Sequence, residues 1–251
     1  MDFVWLYAKK FSAWHLGHNF NELDYSIRSV RKNYNGDVRC FVVGDDPMLQ
    51  NVTHIKAPPL VEIDNVTGQP RQKDQLNKLE ALLESEVNEG FVLIWDDVYI
   101  LKPTTEEEIK TVYGRCEVTN PREYIQTRTG GTPYKRLWVA TYEYIVPYRR
   151  SKGLKTWDWE THLPRYMEKT KLRELIDVMN LRDIPKLPTG LYQAYYSEET
   201  LPLPEGLQSD IYTHVAGETD FDKEFACKYM NIGDNVIVPD FVERMHERFG
   251  A

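Results

Sequence analysis

The stretch FVLIWDDVYILKP, residues 91–103, limits what this chain can fold into. Two adjacent acids, Asp96 and Asp97, interrupt an otherwise apolar run. The run reads as a strand apolar on both faces. Such strands belong to sheets covered by helices on either side. A carboxylate in that setting must be neutralised, paired or bound to a cation. The rest of the N-terminal half supplies the covering helices. FVWLYA (3–8), DVRCFVVGD (37–45) and the weaker NVTHI (51–55) are further strand candidates. NELDYSIRSVRKNY (21–34) has a helical period through Leu23, Ile27, Val30 and Tyr34, with Asn21 as cap and Gly36 as stop. KDQLNKLEALLES (73–85) places Leu76, Leu79 and Leu83 on one side. Strands alternating with amphipathic helices predict parallel βαβ units and an α/β fold.

The second half has a less regular pattern. Residues 104–158 show no clear period, and TRTGGTPYKRLW (127–138) reads as a glycine-containing basic loop. LPRYMEKTKLRELIDVMN (163–180) predicts one helix with Met167, Leu172, Leu175, Ile176 and Met179 inward. The Pro-, Gly- and Tyr-rich residues 187–208 predict a mobile loop, and DFVERMHERFG (240–250) a closing helix capped by Asp240. Without repeats or a low-complexity linker, residues 1–251 are expected to form one domain with an elaborated C-terminal half.

Composition excludes some classes of function. The formal charge of -8 carries no global basic signature for nucleic acid. Cys40, Cys116 and Cys227 are far apart and have no metal-ligand spacing, which suits reduced, buried thiols in an intracellular protein. No leader and no apolar run of roughly 20 residues is present, so no membrane span is expected and the location is read as cytoplasmic. The glycosylation-like triplets at Asn51 and Asn65 are then chance matches.

In an open parallel sheet, ligands bind beyond the carboxyl ends of the strands. Asp96 and Asp97, at the end of a strand preceded by two βα units, are placed to hold Mg²⁺ or Mn²⁺. Such a cation in turn clamps a diphosphate. The competing reading puts both acids in a turn that caps the next element. Arg28 has the planar fork that suits phosphate, or else sits in a structural ion pair. Lys73 and Lys78 are candidates to neutralise such a diphosphate, or else surface lysines. Glu160 and His162, two apart in WDWETHLPRYMEK (157–169), share one side of an extended segment. His162 has the intrinsic range to move a proton near neutral pH, and Glu160 is the alternative base. Pro164 is read as the first residue of the next helix. His214, Asp210 and Asp222 are weaker candidates, and His15 and His18 read as loop residues.

Several blocks carry a family resemblance. The apolar strand ending in acids resembles the Asp-x-Asp site of GT-A glycosyltransferases. NELDYSIRSVRKNY with VRCFVVGDDP, then FVLIWDDVYIL, then WETHLPRYMEK resembles ordered blocks of Stealth-type sugar-phosphate transferases and of small phage-encoded glycosyltransferases. The resemblance spans roughly residues 3 to 180. Trp95 departs from the usual Asn or Asp, and the last third matches poorly.

The likeness implies a GT-A-like domain with a Rossmann-like, mostly parallel sheet. Residues 1–103 would form the half that binds a nucleotide-sugar donor, and residues 104–251 the acceptor side. Asp97 would be the leading metal ligand, Asp96 a second ligand or ribose contact, and His214 a late addition to the metal shell. Glu160 or His162 would activate the acceptor. One acceptor reading is a hydroxymethylated base in phage DNA, met by Arg128, Tyr134, Lys135 and Arg136 with Trp138 among them. The protein would then be phage-encoded and work in the host cytoplasm. The alternatives are a glycan or sugar phosphate as acceptor, or an inactive module that only binds sugar nucleotides.

Overall fold

The computed structural model describes residues 1–11, 20–127, 131–211, 219–233 and 236–250. Along the chain, β1 (Asp2–Tyr7) leads to α1 (Glu22–Asn33), β2 (Arg39–Gly44), β3 (Thr53–Lys56) and α2 (Arg71–Leu83). Then come β4 (Gly90–Ile94), β5 (Val98–Ile100), α3 (Glu106–Lys110), β6 (Tyr113–Gly114), α4 (Pro121–Tyr124) and α5 (Thr132–Ser151). After these lie β7 (Arg165–Glu168), α6 (Lys169–Val178), α7 (Pro188–Tyr196), β8 (Leu201–Pro202) and β9 (Gln208–Ile211). The last elements are α8 (Phe221–Phe225), β10 (Tyr229–Ile232) and α9 (Pro239–Phe249).

The fold is α/β with a mostly parallel central sheet. Its order is β3-β2-β1-β4-β7, parallel throughout except for the antiparallel β4–β7 pair. Both faces are covered, which explains the unbroken apolar strands. Val4, Phe41, Val43, Phe91 and Leu93 pack against Leu76, Leu79 and Leu82 of α2 and against residues of α5, α6 and α7. Phe3, Trp5, Val42, Val92 and Ile94 pack against Leu23, Ile27 and Val30 of α1. Each such side chain contributes about 1.5–3 kcal/mol by leaving water.

The run 91–103 is not one strand. β4 ends at Ile94, and Asp96 and Asp97 form the turn to β5, with Val98 N–H bonding Trp95 O at 3.2 Å. β5 leaves the central sheet and pairs antiparallel with β10, which also pairs β9. The free edge of β5 is met by a polar stripe on α1. Ser29 Oγ accepts from Ile100 N (3.0 Å), Asn33 Nδ2 donates to Ile100 O (2.6 Å), and Ser26 Oγ donates to Val98 O (2.6 Å). Ser26 also accepts from the buried indole of Trp5 at 2.9 Å. These bonds satisfy a buried edge that would otherwise leave orphan backbone groups. They also fix the acid turn against α1.

Five further sequence expectations are corrected. TRTGGTPYKRLW is not all loop, because α5 starts at Thr132 and runs through Pro147. Residues 163–180 split into β7 and α6, so Pro164 precedes a strand and starts no helix. Met167 is nonetheless buried, on a strand face. Residues 187–208 contain the largely buried α7 in place of a mobile loop. Asp240 lies inside the first turn of α9, whose cap is Val238. Of the three free cysteines, only Cys40 is buried; Cys116 and Cys227 are partly exposed.

Candidate active site

In the central sheet the chain steps outward from β1 to β2 and β3, then returns to place β4 on the other side of β1. The crevice beyond the carboxyl ends of β1 and β4 is the switch point where ligands of open α/β sheets bind. A cavity of about 470 Å³ lies there, and Leu6, Ala8, Trp95, Asp96 and Asp97 form its floor. One wall is α2, with Arg71, Asp74 and Lys78. The facing wall is Pro133, Tyr134 and Leu137 of α5, with Glu160, His162 and Thr189.

The acid pair is half-buried. Burial holds the Asp96 carboxyl up at about 7, and the charge of Asp97 adds to the rise, against the pull of Arg71 and Lys78. Burial also raises Asp97, which the charge of His162 and a bond from Asn231 partly offset. Asn231 of β10 donates through Nδ2 to the Asp97 backbone oxygen at 3.2 Å, and its buried Oδ1 has no hydrogen-bond partner. Lys78 is buried and tied to Asp74 at 2.6 Å, while Asp74 also accepts from Leu60 N at 2.8 Å. Arg71 is exposed at the start of α2 and makes no ion pair with a described residue.

Asp96→Asn is expected to stabilise the apo protein at alkaline pH. The folded pKa lies above the unfolded value. The stability Asp96 contributes is therefore full below pH ~4 and lost as the pH rises through about 7. Asparagine keeps the shape of the protonated acid. Melting in a chelator should show a gain of about 1–3 kcal/mol at pH 8, or roughly 2–10 °C, and almost none at pH 4. An equal gain at both values would mean the charge is not the cause.

On the facing wall, Glu160 is buried at the N-terminus of α7. Thr189 Oγ1 lies 3.5 Å from its Oε1, and Arg165 Nη2 lies 4.0 Å from its Oε2. A Cβ on Gly190 would stand 2.6 Å from Oε1, so only glycine leaves the carboxylate its place. The segment before it is anchored by Asp158. That buried acid accepts from Tyr124 OH at 2.9 Å and from Glu160 N at 3.2 Å. His162 Nδ1 lies 3.4 Å from Asp210 Oδ1.

The fold thus brings Asp96, Asp97, Lys78, Tyr134, Glu160 and His162 to one cavity. It does not bring the other predicted residues there. Arg28 bonds Asp24 at 2.8 Å and the Phe249 carbonyl at 3.4 Å, against α9. Lys73 pairs with Glu62. Lys135 and Arg136 lie near the start of α5, outside the cavity lining. Trp138 is fully buried, stacked on Tyr142 at 3.9 Å, and has no face for a ligand. Asp222 pairs with Arg244 at 2.5 Å. Arg128, His214, His15 and His18 lie outside the described residues.

Sequence reading missed Arg71 and Glu22, which both line the cavity, and Asn231. Pro70, just before Arg71, was an available start signal for α2. Nothing local marks Asn231, which reaches the acids only through the pairing of β10 with β5.

No protein-family model matches the sequence, and no curated protein matches it. Solved structures do match. A complex of the galactosyltransferase LgtC with donor and acceptor sugar analogues gives a TM-score of 0.49 at 11% identity, over 100% of this chain and 95% of that one. Mouse xyloside xylosyltransferase 1 gives 0.41 at 9% identity, over 92% and 97%. The glycosyltransferase GlyE of Streptococcus pneumoniae gives 0.34 at 8% identity, over 82% and 46%. Values this low assign no activity to the present chain.

Proposed function

We propose that the protein is a metal-dependent glycosyltransferase that moves a sugar from a nucleotide-sugar donor to an acceptor hydroxyl. One observation carries this reading. A single cavity at the switch point has an acid pair on its floor, Arg71 and Lys78 on one wall, and Glu160 and His162 on the other. The floor and basic wall come from residues before 103, and most of the facing wall from residues after 104. This supports a donor half and an acceptor half within one domain.

The donor set suits a divalent cation. Burial drives up both adjoining carboxyls, and the charge of Asp97 adds to the rise at Asp96, which a cation would relieve; the orphan Asn231 oxygen is buried beside Asp97. Among the described residues no group of three His, Cys, Asp or Glu could hold a metal, so the fit rests on these oxygens. Hard oxygen donors select Mg²⁺ or Mn²⁺. Asp97 and Asp96 would hold the ion, which when bound neutralises charge on the departing diphosphate.

Arg71 and Lys78 supply positive charge to the same diphosphate. In the transfer, the bond from the anomeric carbon to the diphosphate oxygen breaks and the nucleoside diphosphate leaves with the electron pair. The acceptor oxygen bonds the anomeric carbon, and its proton passes to Glu160 or His162. Trp138 is buried and has no face on which a flipped base could stack, which favours a carbohydrate hydroxyl as acceptor.

The test is a panel of nucleotide sugars, with and without Mn²⁺. It scores donor hydrolysis and transfer to oligosaccharides, sugar phosphates and hydroxymethylated DNA. Glu160→Gln and His162→Ala should each lower turnover roughly 10²-fold or more, with donor affinity nearly unchanged. If no nucleotide sugar is cleaved or stabilises the fold, the protein is no glycosyltransferase. Binding without any cleavage would make it the inactive module, and labelling of DNA alone would restore the DNA reading.

A further inference from the structure

His162 is backed by a carboxylate that the sequence did not connect to it. Asp210, on β9, places Oδ1 3.4 Å from His162 Nδ1. The same oxygen accepts from Gln208 Nε2 at 2.6 Å, and Oδ2 pairs with the Arg115 guanidinium. Arg115 is itself fixed to the segment that carries the site, its N–H bonding Asp158 O at 3.0 Å. Burial alone would raise the Asp210 carboxyl. The bond from His162 and the charges of His162 and Arg115 outweigh it and bring the carboxyl below its usual range.

An ionised carboxylate only accepts hydrogen bonds. It therefore places the single proton of a neutral imidazole on Nδ1 and leaves the lone pair on Nε2. His162 lines the same cavity as Asp96 and Asp97. Glu160, by contrast, faces the Thr189 hydroxyl at 3.5 Å, the Arg165 guanidinium at 4.0 Å and a helix N-terminus, which suit an anion that orients an acceptor.

We infer that Asp210 is a positioning residue that fixes His162 in the Nδ1–H form, making Nε2 the atom that takes the acceptor proton. This rests on the glycosyltransferase reading. The acceptor O–H bond breaks as its oxygen bonds the anomeric carbon. The proton goes to Nε2, the diphosphate leaves with its electron pair, and the imidazolium formed is held by Asp210.

The experiment uses the full chain labelled with ¹⁵N-histidine at pH 8, the His162 signals being those lost in His162→Ala. The wild-type ring should show a protonated Nδ1 and an unprotonated Nε2. Asp210→Asn should mix the tautomers and lower kcat roughly 10²-fold with little change in donor KM, and Asp210→Glu should restore most of it. Losses from His162→Ala and Asp210→Asn should not add. A wild-type ring protonated on Nε2 overturns the inference, even where Asp210→Asn does not fold. Unchanged tautomer and turnover in Asp210→Asn, or additive losses, overturn it too. The tautomer is read without any donor. Failure of the pairing is thus distinguished from failure of the activity, which the donor panel decides.

Discussion

Asp97→Ala is expected to reduce Mn²⁺-dependent donor turnover by at least about 10³-fold while the protein stays folded. The chemical loss comes from removing the group placed to hold charge opposite the departing diphosphate. The fold is retained because of what anchors this turn. Ile232 N and Asn231 Nδ2 both bond the Asp97 backbone oxygen at 3.2 Å, and the substitution leaves that oxygen in place. Loss of one carboxylate also relieves its neighbour, so apo stability should hold or rise slightly. The check is a melting series with Mn²⁺ and donor. Ligand at 100 times its Kd should stabilise the wild type by about 2.7 kcal/mol and the variant not at all. A variant that keeps both the shift and the turnover would remove Asp97 from the site.

Gly44→Ala should destabilise the protein by about 3 kcal/mol or more, a fall of roughly 6–12 °C. Gly44 ends β2 at φ 129°, where a side chain is strained. A Cβ there would stand 2.1 Å from the Tyr7 carbonyl oxygen and 2.8 Å from Lys78 Cε. The first of these atoms is backbone and cannot rotate away. The displacement would fall on the end of β1 and on Lys78, both at the cavity, so donor KM should rise as well. Gly153→Ala is the control. Its φ is also positive, at 69°, but nothing lies within 4 Å. It should cost about 1 kcal/mol. Equal losses at the two sites would show that the close approach at the end of β2 does not matter.

The order β1, α1, β2, α2, β4 could be read from the sequence because each element writes its own period. Leu23, Ile27 and Val30 mark the buried stripe of α1, and residues 39–44 and 90–94 are apolar because helices cover both faces. The acid pair was legible for a similar reason, since two charges beside apolar flanks are costly wherever the chain goes. Where the local code was ambiguous, the structure decided. Residues 163–180 fit one helix, but Met167 serves a strand because β4 offers β7 an open edge. α5 was hidden by Gly130, Gly131 and Pro147, although Leu137, Trp138, Thr141, Tyr142 and Ile145 carry a helical period.

Strand order was beyond the sequence, and strand order makes the crevice. It puts β4 beside β1, joins Arg71 to Asp96 across one cavity, and brings Asn231 and Asp210 to Asp97 and His162. Those contacts join residues far apart in the chain. Nothing in the local pattern of either partner records them, because they depend on the path of the backbone between them.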